Sequence, residues 1–455
     1  MDLSALVKAY DVRGVVPDEL NEDIARAIGA AFVDVTGAQK IVTAHDMRET
    51  GPGLARAFAE GALKRGASVV EAGLASTDML YFASGHLGLA GAMFTASHNP
   101  ARYNGIKMCR ANAVAIGQDS GLADIRDQAG RYLDAGLEPI PVPGDVEQVD
   151  LLRPYAEYLR NLVDLSGVRP LKVVVDAGNG MGGFTVPAVL GDAVLPKLPL
   201  DIVPLYFELD GSFPNHEANP LEPANIVDLQ RAVVDVAADI GIAFDGDADR
   251  CFVVDAAGNP VPPSAVTALV ATRELAKSPG SAVIHNLITS HAVPEIVAEH
   301  GGRPVRTRVG HSFIKAEMAR EDAVFGGEHS AHYYFRDFWF DDTGMLAAMH
   351  VLAALGEQDR TLAELTAEFS RYVASGEINS TVDDQAARLG AIRDRFAGRA
   401  GSVDELDGLT VELPDGTWFN VRASNTEPLL RLNVEGPTDE AMAAVRDEAL
   451  AVIRD

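Results

Sequence analysis

A serine hydroxyl is a weak nucleophile until a base, a cation or a metal activates it. Thr95-Ala96-Ser97-His98-Asn99-Pro100 sets one such hydroxyl beside an imidazole, after the apolar stretch 87–94, which reads as a buried strand or turn edge. Asn104-Gly105-Ile106-Lys107 follows, breaking regular structure and bringing an ammonium close in sequence. Farther on, Asp245-Gly246-Asp247-Ala248-Asp249-Arg250 places three carboxylates at alternate positions after the apolar run 240–244. Such a set can converge on one hard divalent cation. An EF-hand loop would need glycine sixth and glutamate twelfth, where Arg250 and Ala256 stand. Three protein ligands leave room for water or a substrate oxygen, as magnesium prefers.

Two further runs could bind rather than react. Gly326-Gly327-Glu328-His329-Ser330-Ala331-His332 offers a carboxylate, a hydroxyl and two imidazoles in a glycine-led loop, a set suited to reading sugar hydroxyls. His332 could titrate near neutrality and serve as a general base. Arg422-Ala423-Ser424-Asn425-Thr426-Glu427-Pro428 follows an apolar strand with a guanidinium, two hydroxyls, an amide and backbone N–H groups. That is a phosphate cradle without a Walker sequence. Taken singly, each run has an ordinary reading as a turn, a solvated acidic loop or a polar surface loop. The four fall in four successive segments, which chance hardly explains.

The elements that must position these loops alternate between helix and strand, favouring parallel α/β units. The pattern predicts a helix over 19–36, a strand over 40–44, a helix over 53–65 and a strand over 68–71. The proline-rich stretch 138–146 reads as a linker. A second unit opens with a strand at 171–176 and the turn Ala177-Gly178-Asn179-Gly180. A third begins near Gly258-Asn259-Pro260, with a helix over 264–276 and a strand over 282–285. The strand-turn-helix starts at Ala44, Asp176 and His285 could be three copies of one structural unit. From about Ala374 the pattern changes to a helix over 386–396, strands over 409–413 and 418–423, and a final helix: a small α+β domain. The expected boundaries are 1–147, 148–256, 257–373 and 374–455.

Composition narrows the partners. With 455 residues, 47% of them hydrophobic, the chain is a globular protein of three or four domains. The net charge of −28 argues against nucleic acid, which needs basic patches to displace counterions. It also repels anionic substrates at long range, so these could bind only where basic residues converge. No lysine follows Lys315, and late positive charge must come from arginine, which suits bidentate phosphate binding. No window approaches a membrane span, the start lacks a signal pattern, and Cys109 and Cys251 cannot form a disulfide framework. A cytoplasmic location with no membrane partner is expected.

With all four loops in order over essentially its whole length, the chain resembles the α-D-phosphohexomutases, the family of phosphoglucomutases and phosphomannomutases. The resemblance implies three similar mixed α/β domains plus a C-terminal α+β domain around one central cleft. It implies Ser97 as a phosphoserine, with Asp245, Asp247 and Asp249 holding Mg²⁺ together with a phosphoserine oxygen. Lys107 and Arg250 would neutralise the transferring group, and His332 would be the base, with His98 and His311 as other candidates. Glu328 and Ser330 would bind sugar hydroxyls. Arg422, Ser424, Asn425 and Thr426 would hold the distal phosphate, and Tyr10 and Arg13 would face the same cleft. A hexose 1,6-bisphosphate would be both intermediate and activator, hexose phosphates the only partners, and the assembly a monomer or homodimer.

The Ser-x-His ending and the aromatic continuation Tyr333-Tyr334-Phe335-Arg336-Asp337-Phe338-Trp339 resemble the bacterial phosphomannomutase/phosphoglucomutase branch. Ala248 and Ala331 stand where that family often has glycine, and His329 where phosphoglucosamine mutases usually carry glutamine. The expected activity is a phosphomannomutase with some action on glucose phosphates; the alternatives are a phosphoglucomutase or a phosphoglucosamine mutase. A silent sugar-phosphate sensor could have lost Ser97 or the aspartates, yet all are present. A metal-dependent phosphatase would need water to reach the phosphoserine.

Overall fold

The computed structural model describes residues 1–7, 10–141, 144–424 and 429–455. It divides into two compact units, one of Met1–Val261 with Ser330–Leu365, the other of Pro262–His329 with Thr366–Asp455.

The first unit holds two sheets built on one plan. In one, Lys40–His45 lies between Ser68–Leu74 and Ala90–Phe94, parallel to both, and Tyr103–Cys109 then pairs antiparallel with Ala90–Phe94. In the other, Leu171–Asp176 lies between Leu200–Leu205 and Ile240–Phe244, again parallel, and Cys251–Asp255 turns back antiparallel. The second unit repeats the opening of this plan, with Ala282–Asn286 parallel to both Arg303–Thr307 and Phe325–Gly327. The three strand-turn-helix starts therefore are three copies of one unit. Each central strand is largely buried around an apolar stretch, Ile41-Val42, Val173-Val174-Val175 and Val283-Ile284, as a parallel sheet covered on both faces requires. The C-terminal part is different: five antiparallel strands, Ser402–Asp404, Leu409–Glu412, Trp418–Ala423, Leu429–Gly436 and Val373–Thr381, carrying helices Gln385–Phe396 and Asp439–Arg454.

Several expected elements shift. The first helix begins at Glu22 rather than 19, because Asn21 caps it by accepting from the Ile24 N–H, while Glu19 folds back to accept from the Val15 N–H. Leu87 belongs to no strand: it ends the helix Thr77–Leu87, which Gly88 closes at φ 66, and the strand starts at Ala90. The supposed linker ends in a strand, since Val146–Gln148 pairs parallel with Ser68–Leu74. The helices Thr77–Leu87 and Gly344–Gly356 escape periodicity because they are buried around most or all of their circumference.

Those two helices meet at Asp78. Its buried carboxylate accepts from Tyr155 (2.6 Å), from Thr343 (2.7 Å) and from Ser76. Ser76 and Thr343 are also the N-caps of the two helices, so one carboxylate ties both helix starts together. Burial pushes its pKa up to about 6, against the hydrogen bonds that lower it. A carboxyl raised by folding contributes stability while it is protonated, and that contribution is lost as pH rises through its folded value. Relative to Asp78→Asn, the wild-type protein should therefore lose about 1 kcal/mol between pH 5 and pH 7. Thermal melts of both proteins across that range measure the difference; a constant or rising difference would refute the assignment.

Candidate active site

In the first unit, the loops that follow strand ends of both sheets converge on one cluster of charge. Ser97 lies just past the strand Ala90–Phe94 in left-handed backbone (φ 50) and is 5% exposed. Its N–H donates to Thr95 Oγ1 (2.9 Å), and its Oγ donates to Asp245 Oδ2 (2.8 Å). The aspartate loop approaches so closely that a Cβ on Gly246 would sit 2.3 Å from the Ser97 carbonyl oxygen, so only glycine fits there. The turn at Gly180 buttresses the same loop, with the Met181 N–H donating to the Gly246 carbonyl at 2.9 Å. Ala248 and Ala331 both sit at positive φ (61 and 66), the conformation that glycine adopts without strain.

All three aspartates are buried. Lys107 Nζ donates to Asp247 Oδ2 (2.8 Å) and Asp249 Oδ2 (2.6 Å). Thr77, at the head of the helix that periodicity did not reveal, donates to Asp247 as well (2.5 Å). Burial alone would raise Asp247, but the Lys107 ammonium holds it well below the usual carboxylate range. Burial would likewise lower Lys107, but Asp247 and Asp249 keep it well above its ordinary value. Asp245 behaves oppositely: burial and its two acidic neighbours push it up to about 7, against the pull of Arg250.

Arg250 grips Asp245 through its backbone N–H (3.1 Å) and Nε (2.9 Å), and its Nη2 donates to His98 Nδ1 (2.6 Å). An arginine can only donate, so His98 Nδ1 is unprotonated. Burial, then Arg250 and Arg13, hold the His98 pKa well below its usual value. His98 Nδ1 thus faces both Arg250 and the Ser97 hydroxyl, 3.1 Å away. His332 is placed differently. A backbone bridge pairs it with Arg250, its Nδ1 lies 3.0 Å from Ser330 Oγ, and its Nε2 faces Asp249 (3.7 Å) and Asp342 (3.9 Å). Arg13 donates to Asn99 (2.5 Å) and Asp11 (2.5 Å), tying the N-terminal loop with Tyr10 to the serine loop.

The donor set fits a hard cation. One oxygen each from Asp245, Asp247 and Asp249 lie within 4.8 Å of one another. Asp247 Oδ1 and Asp249 Oδ1 are buried and accept no hydrogen bond from any described residue. Two orphaned carboxylate oxygens in one buried cluster are what a divalent ion would satisfy.

In the second unit, Glu328 is buried at the end of the strand Phe325–Gly327 and accepts from Asn286 (3.1 Å) and the Gly310 N–H (3.3 Å). His311 opens the helix His311–Glu321 directly after that glycine. Arg422 is the penultimate residue of the strand Trp418–Ala423 and pairs with Glu377 (3.1 Å), as Arg431 does (3.2 Å). The Ser424 N–H donates to the Leu429 carbonyl. Asn425 and Thr426 lie outside the described residues. Thr77, Asn286, Asp342 and Glu377 carry no local motif and emerge only from the fold.

Four family models match in succession: the phosphoglucomutase/phosphomannomutase alpha/beta/alpha domains I, II and III over residues 4–132, 153–258 and 262–372, and the C-terminal domain over 377–452. The chain is 41% identical over 447 residues to the phosphohexose mutases of Xanthomonas campestris pv. campestris and 40% identical over 452 residues to a phosphomannomutase of Escherichia coli, each match covering 98% of both chains. Its fold matches a crystal structure of a phosphoglucomutase/phosphomannomutase family protein from Burkholderia thailandensis with a TM-score of 0.87 and 32% identity, covering 99% of this chain and 97% of that one. The chain belongs to the phosphoglucomutase/phosphomannomutase family. Among the described residues, no helix is long and apolar enough to cross a membrane.

A cation that binds only the folded cluster stabilises it, by about 2.7 kcal/mol at a concentration 100-fold above the Kd. Excess Mg²⁺ should therefore raise the melting temperature over that in EDTA, and Asp247→Asn or Asp249→Asn should abolish the rise. Equal rises in wild type and both variants would remove the cluster as the binding site.

Proposed function

We propose that the chain is a phosphomannomutase that interconverts mannose 6-phosphate and mannose 1-phosphate through a phosphoserine at Ser97 and a hexose 1,6-bisphosphate, acting also on glucose phosphates. The observation that carries this reading is the Ser97 hydroxyl 2.8 Å from Asp245, inside a buried three-aspartate cluster flanked by Lys107 and Arg250. The names of the bacterial relatives support the sugar.

In the forward half-reaction the bond between phosphorus and Ser97 Oγ breaks as a sugar hydroxyl oxygen bonds to phosphorus. The hydroxyl proton leaves to His332 Nε2. That nitrogen carries the free lone pair when His332 Nδ1 donates to Ser330 Oγ, and Asp249 and Asp342 lie 3.7 and 3.9 Å from it. With its acceptor side turned to His332, Ser330 keeps its own O–H for a sugar oxygen. The bisphosphate then presents its other phosphate, and Ser97 Oγ recovers a phosphoryl group by the reverse chemistry. Phosphoryl transfer depends mainly on in-line placement and on neutralising spread charge, which Lys107 and Arg250 supply from fixed positions. Mg²⁺ on Asp245, Asp247 and Asp249 would add a Lewis acid for the phosphoserine oxygens.

Glu328 takes sugar hydroxyls, with His311 beside it. Arg422 and Ser424, together with Asn425 and Thr426, take the distal phosphate; Tyr10 and Arg13 contact the substrate as well. A hexose 1,6-bisphosphate activates the resting enzyme by phosphorylating Ser97. The cytoplasm, which supplies both Mg²⁺ and hexose phosphates, is the proposed location.

A coupled assay with Mg²⁺ and a trace of glucose 1,6-bisphosphate should show turnover of mannose 1-phosphate that EDTA abolishes, and Ser97→Ala should reduce it at least about 100-fold. Activity on glucosamine 1-phosphate alone would overturn the choice of sugar, and normal turnover by Ser97→Ala would sink the mechanism. Arg422→Ala should raise KM more than it lowers kcat, because a ground-state phosphate contact is made equally in the transition state. A loss confined to kcat would contradict that role.

A further inference from the structure

One buried arginine holds the serine loop without belonging to any motif of the site. Arg48 follows the strand Lys40–His45 and is 2% exposed, among the largest fully buried side chains. Its Nη1 donates to the carbonyls of Pro100 (3.0 Å) and Tyr103 (2.9 Å), and its Nη2 to those of Ser97 (2.8 Å) and Asn99 (2.6 Å). Four carbonyls between residues 97 and 103 thus converge on one guanidinium. Asp46 sets its angle, accepting from the Arg48 backbone N–H (2.9 Å) and facing Nε at 3.3 Å. The Phe213 ring covers the guanidinium at 5.2 Å. Asp46 is also hydrogen-bonded by Thr95, whose Oγ1 accepts from the Ser97 N–H. The nucleophile is therefore held from both sides, at its N–H through Asp46 and Thr95 and at its carbonyl through Arg48.

We propose that Arg48 is a positioning residue for phosphoryl transfer, fixing the left-handed backbone of Ser97 so that its Oγ stays on Asp245. The proposal rests on the mutase reading for its kinetic consequence. Left-handed backbone is costly for a residue other than glycine and persists only when its surroundings impose it. A planar fork of N–H donors can hold four carbonyls at once; an ammonium cannot. With both Nη groups committed to backbone oxygens and Nε turned to Asp46, Arg48 has no part in binding substrate. Its loss should therefore misplace the nucleophile without weakening the Michaelis complex.

The test is Arg48→Lys, which keeps the charge and removes the fork. The expected result is a folded protein with kcat at least about 30-fold lower, KM for mannose 1-phosphate within about threefold, and Ser97 phosphorylation by glucose 1,6-bisphosphate slowed in proportion. A folded variant with kcat within about threefold of wild type, or with its loss entirely in KM, would overturn the proposal. Should Arg48→Lys fail to fold, Thr95→Val cuts the same array at the Ser97 N–H and should lower kcat about fivefold or more at unchanged KM; unchanged kcat would count against the array. Inactive wild-type protein would condemn the mutase reading instead. Arg48 is then judged by a crystal structure of its folded variant, or of Thr95→Val: Ser97 Oγ still within hydrogen-bond distance of Asp245 would overturn the proposal.

Discussion

Everything at the centre of this molecule follows from burying carboxylates that cannot be left unpaired. An isolated ion in a low-dielectric interior loses several kcal/mol of hydration, and removing one partner of a buried pair costs about 3–5 kcal/mol. Asp245, Asp247 and Asp249 are all buried within one short loop, so cations must come to them from elsewhere in the chain. Lys107 arrives from a strand of the first sheet, Arg250 from the end of the loop itself. Even so, Asp247 and Asp249 each keep an oxygen without a donor among the described residues. The protein supplies enough positive charge to fold the loop and leaves a deficit that a divalent cation would complete.

The repeated sheet plan is what makes this concentration of charge possible. In a parallel sheet the strands run in one direction, so the loops after neighbouring strands emerge together at their carboxyl ends. The loop after Lys40–His45 brings Arg48, the one after Ala90–Phe94 brings Ser97, and the antiparallel return Tyr103–Cys109 carries Lys107 back beneath them. The second copy of the plan delivers the aspartates in the same way after Ile240–Phe244. Gly246 sets how closely the two copies approach, since a single methyl there would collide with the Ser97 carbonyl. Catalytic geometry in this chain is thus a property of loop ends, with rigid strands behind them.

Legibility in the sequence followed locality. Ser97, Lys107, the aspartates and Arg250 lie in runs whose composition already suggests chemistry, and the structure brings them within hydrogen-bond reach. The alternation of strands and helices was readable too, because amphipathic helices such as Glu22–Thr36 show one apolar face. Thr77–Leu87 and Gly344–Gly356 were not, since an almost wholly buried helix has no face to display. Arg48 was invisible for a different reason: a lone arginine in Asp46-Met47-Arg48 resembles any surface charge until four distant carbonyls are seen around it. Local pattern reports what a loop contains; only the fold reports what it touches.

The acidic balance of the chain gives the basic residues a second constraint. At a net charge of −28, an approaching phosphate is repelled until it meets fixed positive groups. Yet those groups are already engaged: Arg13 with Asp11, Lys107 with Asp247 and Asp249, Arg250 with Asp245, and Arg422 and Arg431 together on Glu377. Such pairing keeps long, flexible side chains ordered in advance, so little rotamer freedom remains to be lost on binding. It also sets a threshold, because a ligand must offer more charge than the carboxylate it competes with. A phosphate, with nearly two negative charges and three acceptor oxygens, meets that threshold; a neutral sugar does not. On the roles proposed for these basic residues, the carboxylates would act as built-in competitors, and a preference for phosphorylated ligands would follow from the same ion pairs that let the loops fold.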